Sequence, residues 1–126
     1  MKDLSRIPSK PRSVAHPRIR REVAMASNHE MIHLLTSFPS MANARIQDWS
    51  GAYITRKEGE GGLLDLYLGA SSGQKQVIEF CLSVWNQGTD WSEFGFRPFN
   101  VAYAFGIWDH RHRAAFMAWA EGPFFL

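Results

Sequence analysis

Residues 29–33 read His29-Glu30-Met31-Ile32-His33. Two histidines four positions apart lie one turn from each other on a single helix face, so both imidazoles can reach one metal ion. A glutamate beside the first can polarise a metal-bound water as general base, which is the chemistry of zinc-dependent hydrolysis. On this reading zinc is the cofactor, His29 and His33 are ligands and Glu30 is the catalytic base. Glu58, Glu60 and Glu79 are the carboxylates available as a further ligand.

Over these five residues the chain resembles the zincin metallopeptidases. That resemblance implies a strand-bearing subdomain ahead of the motif helix, whereas here a basic, proline-containing segment precedes it. In the elongated H-E-x-x-H-x-x-G-x-x-H form, Thr36 stands in place of the glycine and Pro39 in place of the third histidine. The simpler reading of the same residues is an amphipathic first helix. It turns Met31, Ile32, Leu34 and Leu35 inward and leaves both histidines partly solvated, with no metal expected.

Three other groups carry chemical side chains. In Asp109-His110-Arg111-His112 the histidines are two apart, so they converge on one metal only from a strand. On a helix, Asp109 and Arg113 form an i,i+4 pair, and His112 lies near the apolar edge of a charged face. Nothing in the spacing joins His33 to His112. Gly69-Ala70-Ser71-Ser72-Gly73-Gln74-Lys75 opens a helix but misses the phosphate-loop spacing, leaving a capped turn whose amides can hold an anion. The single cysteine, Cys81, excludes an internal disulfide or a multi-cysteine zinc site. Its neighbours Val77, Ile78 and Trp85 mark it as a buried, inert thiol. No serine occupies a G-x-S-x-G elbow.

Charge divides the chain. Of its 14 basic and 12 acidic residues, seven and two fall in 1–27, a net of +5, leaving −3 for 28–126. The first segment also holds Pro8, Pro11 and Pro17 and few large apolar groups. It reads as a flexible basic arm, because it cannot bury enough surface to offset the entropy of ordering. Arg18, Arg20 and Arg21 are its candidate phosphate contacts, the basis of a nucleic-acid reading. The absence of aromatic side chains there weighs against base stacking. Met25-Ala26-Ser27 also makes a sensible native start, which would leave residues 1–24 outside the native protein. The arm lacks the apolar stretch of a secretory signal, and no apolar run reaches membrane-spanning length, so a cytoplasmic protein without membrane attachment is expected.

The elements that must position these residues follow from periodicity. Asn28 is the expected cap of a helix running to Phe38, which Pro39 stops. Ser40 is expected to cap a second helix with Ala42, Ile46, Trp49 and Tyr53 on one face, although Gly51 weakens it by about 1 kcal/mol relative to alanine. Residues 58–62 form a loop. Leu63, Leu64, Leu66 and Leu68 suit a short buried helix or, with Ala52–Thr55, a hairpin. Ser72 is expected to cap a central helix stopped by Gly88. Residues 91–99 read as a loop with a helical turn, and Asn100 as the cap of a long helix along Val101, Phe105, Trp108, His112, Ala115 and Trp119. A rival reading makes Val101–Ile107 a strand, with Asp109 capping a new helix. The fold class expected is therefore mainly α, a compact domain of four to five helices over 28–126, the alternative being α+β with a hairpin at 52–68.

Five Trp, nine Phe and three Tyr are many for so short a body. Trp91, Phe94, Phe96 and Phe99 fall outside the helices beside Arg97, the composition of a protein-binding hot spot. They could instead fold back as a lid on the core. The function expected is a small non-enzymatic interaction domain (a regulator, adaptor or inhibitor) that binds a protein partner or its own copy through Trp91, Phe94, Phe96, Arg97 and Phe99. A compact zinc hydrolase and a nucleic-acid-associated protein are the alternatives.

Overall fold

In the computed structural model the chain is described from residue 28 to 126 except for 47 and 86–88, so the basic arm and Gly88 lie outside the described residues. All regular structure among them is helical, and no strand replaces the 52–68 segment. Helix α1 covers residues 28–36. Met31, Leu34 and Leu35 recur at the helical period and are buried, while His29, Glu30 and His33 point outward and are exposed. Pro39 then opens a 3-10 turn, Pro39–Met41, that drops Phe38 and Met41 into the core.

The expected second helix from Ser40 does not form. After the turn none of the described residues before Gly51 is helical, and α2 is a single turn, Gly51–Ile54. Its N-cap is Ser50, whose hydroxyl accepts from the Tyr53 N–H. Asn28 supplies the reason. It lies within α1 rather than ahead of it, and its side chain ties down the incoming segment. The Trp49 N–H donates to Asn28 Oδ1, and Asn28 Nδ2 donates to Asp48 at 3.0 Å. Ile46 and Trp49 are thus buried from irregular backbone.

Helix α3, Leu63–Leu68, turns Leu63 and Tyr67 inward. Asp65 in its first turn accepts from the N–H groups of Gly59 and Gly61, each at 2.7 Å, which closes the preceding loop. Those two hydrogen bonds hold the Asp65 carboxyl below the usual carboxylate range. Helix α4, Ser72–Val84, is capped one residue earlier than expected. Ser71 forms a reciprocal capping box with Gln74. Every residue from Gln76 to Leu82 is buried, which places α4 at the centre of the domain.

A second 3-10 turn, Trp91–Phe94, ends at Gly95 with φ 98°, leading to α5, Val101–Ile107, and α6, His110–Glu121. The expected long helix is therefore two. Asn100 caps the first and Asp109 the second, with Trp108 extended between them. The apolar stripe conceals this break because Trp108 stays inward through it, its Nε1 donating to the Gly73 carbonyl at 3.0 Å. The rival strand over 101–107 is absent, although its cap at Asp109 is present.

Phe80 of α4 is the aromatic hub of the core, with Phe38, Phe99, Phe116 and Trp119 at centroid distances of 5.0–5.8 Å. The C-terminal residues return along α4, where the Leu126 N–H donates to the Val84 carbonyl. No helix among the described residues is long and apolar enough to cross a membrane.

Candidate functional site

Gln76, Glu79 and Ser83 are spaced by three and four residues, so they share one side of α4. Opposite them runs the segment from Arg97 to Tyr103. Two adjoining concavities, of about 440 and 360 Å³, lie between these walls and share Glu79, Arg97, Pro98 and Phe99. Trp91 and Phe125 complete the larger one, Gln76 and Tyr103 the smaller. Tyr103 and Phe125 are about half exposed and form an apolar rim.

The floor of this groove is polar and buried. Glu79 is only 3% exposed, and its Oε2 accepts from the Tyr67 hydroxyl at 2.6 Å. Burial pushes the Glu79 carboxyl above its ordinary range against the counter-pull of that hydrogen bond and of Arg97. Burial, then the hydrogen bond to Glu79, pushes the Tyr67 phenol up to about 12. The same hydroxyl accepts from the Arg97 N–H at 3.3 Å. Gln76 Oε1 is buried without a donor among the described residues. The Arg97 side chain is exposed at the rim and makes no ion pair among them. The groove thus combines a buried polar floor of Gln76, Glu79 and Tyr67, an exposed cation and aromatic walls.

The five residues expected to make an interaction surface divide. Trp91, Arg97 and Phe99 line the groove. Phe96 is 1% exposed and packs edge-on against Tyr67, so it belongs to the core. Phe94 is half-buried against Trp91, and Trp91 stacks on Trp85 while its Nε1 donates to the Leu82 carbonyl at 3.1 Å. Phe99 packs on Phe80, Trp108 and Phe116. The segment therefore folds back over the core and offers one edge of its rings to the groove.

The histidine groups fare differently. His29, Glu30 and His33 are exposed on α1, and no three His, Cys, Asp or Glu side chains gather into a metal-sized cluster among the described residues. Glu58 and Glu60 are exposed in the loop before α3, and Glu79 is committed to Tyr67. Arg18, Arg20 and Arg21 lie outside the described residues. In the second group His110 is exposed, but His112 is 9% exposed. Its Nδ1 is 2.9 Å from Asp109 Oδ1 and its Nε2 is 2.7 Å from Ser40 Oγ. The His112 backbone N–H and then its ring, both bonded to Asp109, lower that carboxyl to about 2. Cys81 is buried, and desolvation raises its thiol pKa.

Sequence reasoning missed Tyr67, Gln76, Tyr103 and Phe125 as groove residues, and weighed Glu79 only as a metal ligand. One signal was present, since Gln76 and Glu79 interrupt the inward positions of a helix otherwise apolar on that side. A polar group there needs a partner or a use. Comparison with protein-family models, with curated proteins and with solved structures gives no match.

Proposed function

We propose that the chain is a small protein-interaction domain that takes an extended peptide segment of a protein partner into the groove between α4 and residues 97–103. The observation that carries this reading is the exposed Arg97 guanidinium set beside Trp91, Phe99, Tyr103 and Phe125 along one groove. A peptide offers a carbonyl or an acidic side chain to that guanidinium. Trp91, Phe99, Tyr103 and Phe125 give its apolar side chains a surface. Arg and aromatic residues together are the usual source of interface energy. A regulator, adaptor or inhibitor works through such a groove by binding alone. A cytoplasmic setting suits this reading, since the only cysteine is a buried thiol that needs no oxidising compartment.

A displayed library of random linear peptides, selected against the immobilised full chain, tests it. Enrichment of sequences pairing an acidic residue with large apolar ones is expected. Their affinity should fall at least tenfold for Arg97→Glu, with helical circular dichroism unchanged. No enrichment, or equal binding by Arg97→Glu, overturns the reading. A concentration-dependent dimer that Arg97→Glu disrupts would replace the foreign partner with a second copy of the chain.

A further inference from the structure

Ser40, His112 and Asp109 form one hydrogen-bonded line. Ser40 Oγ is 2.7 Å from His112 Nε2, and His112 Nδ1 is 2.9 Å from Asp109 Oδ1. An ionised carboxylate only accepts, so Nδ1 carries the proton and Nε2 turns its lone pair toward Ser40. The Ser40 backbone N–H donates to that same lone pair at 3.2 Å. A hydroxyl, a base within reach of it and an acid orienting the base are the three parts of an activated nucleophile.

The fold brings them from separate places. Pro39 opens the turn that carries Ser40, Asp109 caps α6, and His112 sits in the first turn of that helix. The rings of Phe38 and Trp108 flank the imidazole at centroid distances of 6.1 and 6.3 Å. All three residues line an open cavity of about 280 Å³ with Ser71, Gly73, Gln74, Ile107 and Trp108. At this end of α4 the amides of Ser71 and Gln74 are engaged in the capping box. Those of Ser72 and Gly73 have no acceptor among the described residues. They stand at the positive end of the 13-residue helix α4, the end that favours negative charge, and of the two Gly73 lines the cavity.

We propose that this cluster is an acyl-transfer site that hydrolyses small uncharged carboxylic esters with a short apolar acyl chain. Ser40 Oγ attacks the ester carbonyl carbon as His112 Nε2 takes the hydroxyl proton. The bond from that carbon to the alcohol oxygen then breaks, and His112 returns the proton to the departing alcohol. Water attacks the acyl-Ser40 by the same route in reverse, releasing the carboxylic acid and restoring the Ser40 hydroxyl. Size and wall chemistry set the substrate class, with Ile107 and Trp108 as the apolar lining and no cationic Lys or Arg side chain in the cavity. Asp109 is 63% exposed and positions the imidazole from the solvent side. Activated esters are therefore the expected substrates rather than amides. This cavity shares no lining residue with the groove between α4 and residues 97–103.

The competing account is that these hydrogen bonds only fasten the 3-10 turn to α6. Incubating the full chain with a fluorophosphonate separates the two. Ser40 displaces fluoride, giving one phosphonyl adduct by intact mass that maps to Ser40 and is absent from Ser40→Ala. With p-nitrophenyl butyrate, Ser40→Ala and His112→Gln should each lose at least a hundredfold in turnover, while His33→Ala, which removes an exposed imidazole, should not. Asp109→Asn keeps a good N-cap, so its circular dichroism and KM should hold while kcat falls more than tenfold. An unlabelled Ser40 in the folded wild-type chain, or wild-type turnover by Ser40→Ala, overturns the proposal and leaves the fastening role.

Discussion

Tyr67 and Glu79 meet across the contact between α3 and α4, the phenol donating to Glu79 Oε2 at 2.6 Å, and the main chain of Arg97 donates back to the same phenol. This junction ties the wall formed by residues 97–103 to the central helix. It also holds an acid where its charged form is disfavoured, because burial outweighs the hydrogen bond.

The sign of that imbalance gives a pH prediction. Glu79 titrates higher in the folded chain than in the unfolded one, where a glutamate titrates at about 4.3. Between the two values the native state binds more protons, so this group makes stability fall as pH rises through the window. Glu79→Gln removes the contribution and still offers Tyr67 an acceptor. The variant should be more stable than wild type at pH 7 and lose its advantage below about pH 4. Urea midpoints across that range measure it, and parallel curves for the two proteins would refute the assignment. Asp65 and Asp109 have lowered values, so they pull overall stability the opposite way. Only the difference between the two proteins isolates Glu79.

Trp91 and Arg97 line the same groove but have different roles. Trp91 stacks on Trp85 at 5.6 Å and bonds the Leu82 carbonyl, so Trp91→Ala removes packing as well as binding surface. It should cost about 2–3 kcal/mol in chemical unfolding, below the figure for a fully buried tryptophan because the ring is only half-buried. Arg97→Gln alters an exposed side chain without setting a second carboxylate beside Glu79 and should change stability by no more than about 0.5 kcal/mol. Equal losses for the two would mean that Arg97 supports the fold.

Much of the architecture was legible from periodicity. The inward faces of α1 and α4, the helical turn at 91–94 and the caps Asn100 and Asp109 all follow from local rules. What failed was long-range. The spacing of Ile46, Trp49 and Tyr53 matched a helix, but the Trp49 N–H, which a helix would have turned to a backbone carbonyl, donates to the Asn28 side chain 21 residues upstream. The stripe from Val101 to Trp119 hid a break because Trp108 keeps its inward place on both sides of it. Sequence grouped Trp91 with Arg97 as a contact surface, and the fold leaves Arg97 exposed and Trp91 half-buried. It could not show that Phe96 turns under Tyr67, nor that the turn made by Pro39 delivers Ser40 to a histidine 72 positions away.

Two glycines, Gly51 and Gly62, should respond in opposite directions to alanine. Gly51 opens α2 and has nothing within 4 Å of where a Cβ would stand, so Gly51→Ala adds helix propensity at no steric cost. About 0.5 kcal/mol of added stability is expected. Gly62 caps α3, and a Cβ there would come within 2.5 Å of the Tyr53 carbonyl oxygen and 2.6 Å of Arg56 Cβ. The first of these is backbone, so the chain itself must shift. Gly62→Ala should lose about 2 kcal/mol, a fall in Tm of roughly 10 °C for a body of this size. Scanning calorimetry of the pair checks both signs at once. A Gly62→Ala protein as stable as wild type would show that α2 and α3 do not approach as closely as this geometry requires.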